Sequence, residues 1–251
     1  MKHEPCPIDV LAIGAHGDDI ELGCSATLTK MRSLGYTIGL ADISDASMGT
    51  RGSVEIREQE AIEAAVILDA EFRTNLGLPD GRLGEYVNEM DEAVIRLVRA
   101  ARPSLVMIPH PADRHPDHII VGTHVPDAAF RAGFRKLETG QEKHRPLKVI
   151  HYVLGMEFEP SFIVDVSGHW ETKLASIRAY RSQFAVPGAS QEEEQTYISS
   201  PEFLERIEAR GRFYGAQIAS RYGEPFYQVG PVVVRDPMSQ AGGSLERLTV
   251  R

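Results

Sequence analysis

Short apolar runs alternate along the chain with segments in which apolar residues recur every three or four positions. The first run, Val10 to Ile13, is rich in branched residues, as is typical of a strand buried on both faces. It ends at Gly14, and a helical pattern follows from about Leu22 to Gly35, which is expected to end the helix. The pattern therefore opens with a strand, a turn and a helix.

The same alternation continues to the C-terminal third of the chain. Because parallel strands joined by helices have right-handed crossovers, their carboxyl ends meet at one edge of the sheet. We therefore predict a single α/β domain over residues 1–251, with a three-layer Rossmann-like fold and a mostly parallel sheet. Further strands are predicted at 37–43, 72–76, 104–109, 147–154 and 162–166, and further helices at 54–68, 90–101, 116–126, 167–184 and 201–220.

Three segments interrupt this alternation. Pro126 is expected to kink or end the helix that begins at Pro116. Residues 185–200 contain Pro, Gly, Ser and an acidic run, which is typical of a mobile surface segment that acts as a lid. The polar tail 236–251 is expected to be disordered.

The composition is that of an ordinary folded protein, because 42% of the 251 residues are hydrophobic and 25% are charged. No apolar run approaches the roughly 20 residues of a membrane span, and the N-terminus lacks a basic and then apolar signal. We expect a cytoplasmic protein without a membrane partner. Cys6 and Cys24 cannot build a disulfide framework, so any metal must be bound by His and carboxylate side chains.

The formal net charge of -9 leaves no basic surface for DNA or RNA, so nucleic acid is not an expected partner. An anionic small molecule would need a local arginine cluster to overcome this charge. Arg51, Arg57 and Arg114 lie in or beside loops at the predicted edge and are the candidate substrate-binding residues. The alternative is that they form ordinary surface ion pairs.

The first polar cluster, His16, Asp18 and Asp19, follows the first strand directly. The turn lacks the G-x-G-x-x-G pattern of a dinucleotide site, and two carboxylates there would repel a phosphate. Together with an imidazole they suit a divalent cation. The alternative is that the aspartates only cap the next helix and that His16 is incidental.

The second cluster runs from His110 to His118 and contains three His and two Asp within nine residues. It follows the strand at 104–109, which predicts that it shares a sheet edge with the first cluster. Its prolines restrict the backbone, as suits a metal and acid/base loop. The alternative is a His-rich surface loop with capping aspartates.

The two clusters carry a resemblance to a known family. Ala15-His-Gly-Asp-Asp-Ile-Glu21, taken with His115-Pro-Asp-His118, resembles the paired signature of the zinc-dependent LmbE-like (PIG-L) N-acetylglucosamine deacetylases. The resemblance covers roughly residues 8–235. Five further stretches look like its bacillithiol-pathway branch, the N-acetylglucosaminyl-malate deacetylases: 40–44, 48–52, 55–57, 75–80 and 180–184.

The resemblance implies a zinc-dependent hydrolase that removes acetate from an N-acetylglucosamine conjugate, with N-acetylglucosaminyl-L-malate as the expected substrate. It gives His16, Asp19 and His118 as the metal ligands. Three protein ligands leave one coordination position open for water. Two imidazoles and one carboxylate also suit Fe²⁺. Relatives form trimers or hexamers, so we expect a homo-oligomer.

The resemblance also gives Asp18 as the general base and His115 as the imidazole that stabilises the oxyanion, with Asp117 behind it. Gly17 departs from the proline that the family often has, and the family's usual acidic residue directly after the Asp pair is absent. Phe203 aligns with a position where some relatives carry a tyrosine near the active site. Tyr197 is the candidate to replace that tyrosine, and neither residue is assigned a catalytic role.

Three other functions stay open at this point. They are a deacetylase of another N-acetylated sugar or small amide, a metal phosphoesterase, and a non-enzymatic protein that binds a metal or a sugar. Phosphoesterases usually need two metals and more carboxylates than these clusters supply. A binding protein would not need the spare acid Asp18 and the spare imidazole His115.

Overall fold

The computed structural model describes residues 4–184 and 195–234. The predicted lid at 185–200 therefore lies mostly outside the described residues, and the predicted disordered tail at 236–251 lies wholly outside them. Within the described ranges, no helix combines the length and apolar character that crossing a membrane requires.

The described residues form seven strands and six α-helices, and the apolar pattern predicts all of them except the last strand. The strands are β1 Val10–Gly14, β2 Ile38–Ser44, β3 Phe72–Leu78, β4 Leu105–Pro109, β5 Lys148–Tyr152, β6 Phe162–Asp165 and β7 Gly223–Tyr227. The helices are α1 Asp19–Ser33, α2 Val54–Ile67, α3 Val87–Ala101, α4 Pro116–Arg131, α5 Trp170–Arg178 and α6 Pro201–Gln217, with a short 3-10 turn at Leu83–Glu85.

The strands form one sheet in the order β3-β2-β1-β4-β5-β7-β6. Strands β1 to β5 pair in parallel, and only β7 runs antiparallel to its two neighbours, β5 and β6. This confirms the predicted α/β fold with a mostly parallel sheet. The chain leaves β1 towards β2 on one side and returns through β4 on the other, so the strand order reverses between β1 and β4. Ligands bind at such a switch point, beyond the carboxyl ends of the strands.

The sheet is covered on both faces because its central strands are apolar at every position. In β1, Leu11 and Ile13 join a buried cluster with residues of α3 and α4. Their neighbours Val10 and Ala12 point the opposite way and join a cluster with α1. Successive side chains of a strand point to opposite faces, so a continuous apolar run needs a helical layer on each side. The three predicted layers follow from this pattern.

Several helices differ in their bounds from the sequence-based expectation; α5, for example, spans only Trp170–Arg178 where a helix over 167–184 was predicted. Helix α4 continues through Pro126 to Arg131 instead of ending at the proline, because Val121, Val125 and Ala128 on its inner face are fully buried in the core. Tertiary packing thus outweighs the hydrogen bond that proline removes. Helix α1 starts three residues earlier than expected, at Asp19, which places that side chain in the first turn of the helix.

Strand β7 was not predicted from the sequence. It is only five residues long and its central residue is Pro225, which removes one backbone donor. Its pairing with β5 and β6 depends on partners more than 50 residues away in the chain. The pattern of apolar residues within a short segment cannot predict pairing with such distant partners.

Candidate active site

The two polar clusters meet at the switch point between β1 and β4. The imidazole rings of His16 and His115 have centroids 4.7 Å apart, and those of His115 and His118 are also 4.7 Å apart. Nε2 of His118 lies 3.1 Å from Oδ1 of Asp19. Residues separated by about 100 positions in the chain therefore face one another, as the parallel topology predicts.

Asp19 organises the first cluster through both of its oxygens. Its Oδ2 accepts hydrogen bonds from the backbone N–H groups of Ala15 and His16, at 2.8 and 2.9 Å. Its Oδ1 is left to face His118. Burial would raise the pKa of Asp19, but the charge of His118 and the hydrogen bonds from His118 and His16 hold that pKa well below its usual range. The carboxylate is therefore ionised, and it holds the turn in shape instead of capping the helix.

His16 has carboxylates near both of its ring nitrogens. Its Nε2 lies 3.1 Å from Oδ1 of Asp80 and 3.6 Å from Oδ2 of Asp117. Its Nδ1 faces Asp19, 3.6 Å from Oδ2. Burial alone would lower the pKa of His16, but the hydrogen bonds that its ring donates to Asp117, Asp19 and Asp80 outweigh it and raise that pKa well above its usual value.

His118 has the same arrangement with a different carboxylate. Its Nδ1 lies 3.1 Å from Oδ1 of Asp113, and its Nε2 faces Asp19. Burial opposes the charged form, but the charge of Asp19 and the hydrogen bonds that the ring donates to Asp113 and Asp19 raise the pKa of His118 to about 9. Asp113 also accepts hydrogen bonds from the amides of His115 and Gly155. Together with His118 they overcome the effect of burial and lower the pKa of Asp113 to about 2.

The side chains at this edge fit a divalent metal. Ligand atoms of His16, His115 and His118 lie within 4.8 Å of one another, and so do those of His16, Asp80 and Asp117. His16 and His118 each have one ring nitrogen on a carboxylate and the other directed towards Asp19. Metal-ligating histidines usually have this second partner, which fixes the ring and raises its basicity. Asp19 belongs to neither of these two groups, so the expected ligand set of His16, Asp19 and His118 stays a prediction.

Asp18 differs from Asp19 in its contacts and in the direction of its pKa shift. It is the residue before α1, yet its side chain makes no capping hydrogen bond. It is buried, lines the cleft, and lies close enough to Arg57 for the two charges to interact. Burial raises the pKa of Asp18, and the charge of Arg57 only partly offsets this effect. Adjacent carboxyls whose pKa values are pushed apart indicate different roles, one ionised and one able to exchange a proton.

His115 is the residue before α4, and its Nδ1 accepts a hydrogen bond of 3.2 Å from the amide of Asp117. Burial and then the charges of His16 and His118 lower the pKa of His115. A neutral imidazole that accepts at Nδ1 must carry its proton on Nε2. His115 is therefore a hydrogen-bond donor through Nε2.

The resemblance implied that the carboxylate of Asp117 supports His115, but the hydrogen bonds of this carboxylate go elsewhere. It accepts hydrogen bonds from the amides of Gly81 and Leu83, at 2.8 and 3.2 Å, and it approaches Nε2 of His16. Asp117 is the second residue of α4, so its side chain is directed towards the loop after β3. Its contacts make it a positioning residue for His16.

The three candidate arginines occupy different places. Arg57 lines the cleft, where its Nη1 donates to the carbonyl of Ala46 at 3.1 Å and its buried Nε has no hydrogen-bond partner among the described residues. Arg114 is exposed and lines the cleft near Tyr197. Arg51 is buried and donates from Nε to the carbonyl of Ser182 at 2.7 Å. It is not among the described residues that line the cleft, so its expected contact with substrate is not supported.

The cleft has a volume of about 490 Å³, within the usual range for small-molecule sites. Sequence reasoning missed Asp80 because Pro79-Asp-Gly81 has the composition of an ordinary turn. It counted Asp113 in the second cluster without giving it a role. It also missed the residues of α6 that line the cleft, among them Arg206 and Arg210.

Comparison with known proteins gives one family. The family model described as PIG-L: GlcNAc-PI de-N-acetylase matches residues 11–129, which include both polar clusters. The uncharacterized deacetylase YaiS of Escherichia coli is 37% identical over 117 residues. That alignment covers 45% of this chain and 63% of YaiS, so the chain spans less than two thirds of that relative.

Two longer matches support the same assignment. The diacetylchitobiose deacetylase of Thermococcus kodakarensis is 30% identical over 190 residues, which is 70% of each chain. The crystal structure of the conserved protein TT1542 from Thermus thermophilus superimposes with a TM-score of 0.79 at 36% identity, over 92% of this chain and 98% of that one. Because the deacetylase match is 30% identical over 70% of each chain and the family model matches residues 11–129, the chain belongs to the PIG-L (GlcNAc-PI de-N-acetylase) family.

Proposed function

We propose that this protein is a metal-dependent N-deacetylase that hydrolyses the acetamido group of an N-acetylated sugar. The observation that carries the proposal is the pairing of Asp18, a buried carboxyl with a raised pKa, with the oriented set of His16, Asp19 and His118. A site that only bound a metal would not need a second carboxyl with a different pKa beside its ligands. The relatives named as deacetylases support the same reaction.

His16, Asp19 and His118 would hold the metal, for which zinc is our first choice and Fe²⁺ also suits the ligand types. When bound, a divalent cation supplies Lewis-acid activation of the amide carbonyl and of water. Asp80, Asp117 and Asp113 keep the two imidazoles in the orientation that binding needs.

Asp18 would transfer the proton. Water adds to the acetyl carbon, and its proton moves to the Asp18 carboxylate as the carbon–oxygen bond forms. The carbon–nitrogen bond then breaks, and Asp18 gives that proton to the amine nitrogen, which leaves acetic acid and the free amine; at neutral pH the remaining acid proton passes to the amine, and the products are acetate and an ammonium group. Burial and the nearby charge of Asp19 raise the pKa of Asp18, which helps it to hold the proton between these steps.

His115 would stabilise the negative charge on the former carbonyl oxygen. Its lowered pKa and its accepting Nδ1 leave a proton on Nε2. A donor held in place for an oxyanion is typically worth about 3 to 4 kcal/mol of transition-state stabilisation. The amide of Asp117 that fixes the His115 ring is thus part of this function.

For the substrate we propose N-acetylglucosaminyl-malate, in bacillithiol biosynthesis. The support is the set of stretches that resemble that branch, together with arginine side chains in the cleft of a protein whose net charge is -9. We also propose a cytoplasmic homo-oligomer, a trimer or hexamer. Sedimentation of the purified protein would test the assembly.

Acetate release tests the function directly. Metal-loaded protein is incubated with N-acetylglucosaminyl-malate, with a neutral methyl N-acetylglucosaminide and with a phosphomonoester. We expect acetate from the sugars, no phosphate, and loss of activity after chelation that returns with zinc. Asp127→Asn, an exposed position on α4, is the matched control for Asp18→Asn. Phosphate release, or tight metal and sugar binding without any turnover, would contradict the proposal.

A further inference from the structure

Two arginines approach the same tyrosine ring at the mouth of the cleft. The guanidinium carbon of Arg114 lies 4.3 Å from the centre of the Tyr197 ring, and that of Arg206 lies 5.0 Å from it. Arg114 comes from the loop between β4 and α4, and Arg206 from α6. Phe203 supports the ring edge to face, with centroids 5.5 Å apart. Three separate segments therefore place both guanidiniums against one tyrosine ring.

Neither guanidinium is neutralised by a carboxylate in the described part of the chain. Other arginines of α6 are paired: Nε of Arg210 lies 2.8 Å from Glu157, and Nη2 of Arg212 lies 2.7 Å from Glu208. In a chain with a net charge of -9, carboxylates are in excess. Two arginines on one ring at the cleft, neither of them paired with a carboxylate among the described residues, therefore offer a site for an anionic ligand.

The contact with the ring leaves the donors of these arginines available. A cation–π contact uses the face of the guanidinium and none of its N–H groups. The planar edge can then bind a carboxylate through two parallel hydrogen bonds, which a lysine cannot do. Tyr197 thus orders both side chains without occupying their binding edge.

Arg57, the third of these arginines that line the cleft, has different contacts from Arg114 and Arg206. One nitrogen of Arg57 is held by the carbonyl of Ala46, and its charge acts on Asp18. That places Arg57 near the reacting group and leaves Arg114 and Arg206 for the distal part of the substrate. All three line the same cleft.

From this geometry we propose that Arg206, together with Arg114 on the Tyr197 ring, forms a subsite for a carboxylate on the aglycone of the substrate. The subsite rests on the proposed deacetylation and names its substrate class: N-acetylated sugars with an anionic aglycone. Arg206 is then a specificity-determining residue, and Arg57 is not the main contact with the aglycone.

The test compares two substrates and one binding probe. The ratio of kcat/KM for N-acetylglucosaminyl-malate to that for the methyl glycoside is measured in wild type, Arg206→Gln and Arg114→Gln, with Arg212→Gln as the control on the same helix. We expect the ratio to fall roughly tenfold in each of the first two variants, the usual effect of losing one charge-assisted hydrogen bond, and to stay unchanged in the control. Arg206→Lys should recover only part of it.

Binding of free L-malate to the metal-loaded protein, measured by calorimetry, separates the two proposals. If wild type releases no acetate but malate binds more weakly to Arg206→Gln than to wild type, deacetylation is wrong and the anion subsite stands. If the ratio and malate affinity of Arg206→Gln both match wild type, the subsite is overturned whatever the reaction. Folding of each variant is checked by its thermal unfolding curve.

Discussion

Asp113 and His118 are joined by a contact of 3.1 Å between Oδ1 and Nδ1, on the side of the imidazole that faces away from Asp19. Asp113 therefore fixes which nitrogen of His118 is offered to a metal. We expect Asp113→Asn to weaken metal affinity by roughly 10- to 100-fold, as is typical when such a partner is removed. Competition titration with a zinc chelator measures this effect. Unaltered affinity in the folded variant would show that Asp113 does not orient His118.

Removing a proposed ligand should have a larger effect than removing its support. We expect His118→Ala to lose stoichiometric metal, because only His16 and Asp19 of the proposed set remain. His124→Ala, further along α4, should keep its metal. Elemental analysis of the folded proteins decides the matter, and full occupancy in His118→Ala would exclude this ligand set.

Asp18→Asn should keep the metal and lose most of its turnover, because the amide preserves the shape of the carboxyl and cannot accept a proton. His115→Ala should also lose turnover, by roughly 100- to 1,000-fold in kcat, the usual effect of losing one oxyanion donor. Acetate release at saturating substrate measures both. Near wild-type kcat in either variant at neutral pH would show that its assigned role is wrong.

Arg73 should be important for stability although it lies outside the cleft lining. It is buried and donates to Asp42 at 2.8 Å, to Glu21 at 2.6 Å and to the carbonyl of Gly17 in the metal turn. We expect Arg73→Met to lower the free energy of unfolding by about 3 to 5 kcal/mol, because it leaves two carboxylates buried without a counter-charge.

The exposed pair of Arg96 and Glu92 on α3 provides the control for this loss. Arg96→Met should lower the free energy of unfolding by no more than about 0.5 kcal/mol. Urea denaturation of the metal-free proteins compares the two variants. Similar losses at both positions would mean that the buried network around Arg73 has no special importance.

The stability of the protein should depend on pH through Glu21. Its Oε2 is buried without a hydrogen-bond partner among the described residues. Burial outweighs the charge of Arg73 and raises the pKa of Glu21 from 4.5 to about 7. A raised folded-state pKa means that the protonated form favours folding, so this contribution is fully present below pH 4.5 and is lost as the pH rises through 7.

Glu21→Gln, which cannot ionise, isolates that contribution. We expect the unfolding free energy of wild type to fall relative to that of Glu21→Gln between pH 4.5 and 7, measured by urea denaturation of the metal-free proteins. A constant difference across that range would show that the burial of Glu21 does not shift its ionisation.

The sequence by itself determined the alternation of strands and helices, the mostly parallel sheet, and the meeting of the two polar clusters at one edge. These features depend on local apolar periodicity and on the single hand of parallel crossovers, both of which can be read from neighbouring residues. The strand before His16 and the strand before His110 were predicted for this reason, and the structure confirms both.

Only the tertiary structure decided how the side chains at that edge face one another. Asp80 contacts Nε2 of His16 although it lies in a turn 64 positions further along the chain. Arg51 donates a hydrogen bond to the carbonyl of Ser182 and does not line the cleft formed by the described residues. The approach of Arg114 and Arg206 to Tyr197 likewise joins separate segments. Such contacts depend on the distances between elements after packing, and the pattern along a chain contains no information about those distances.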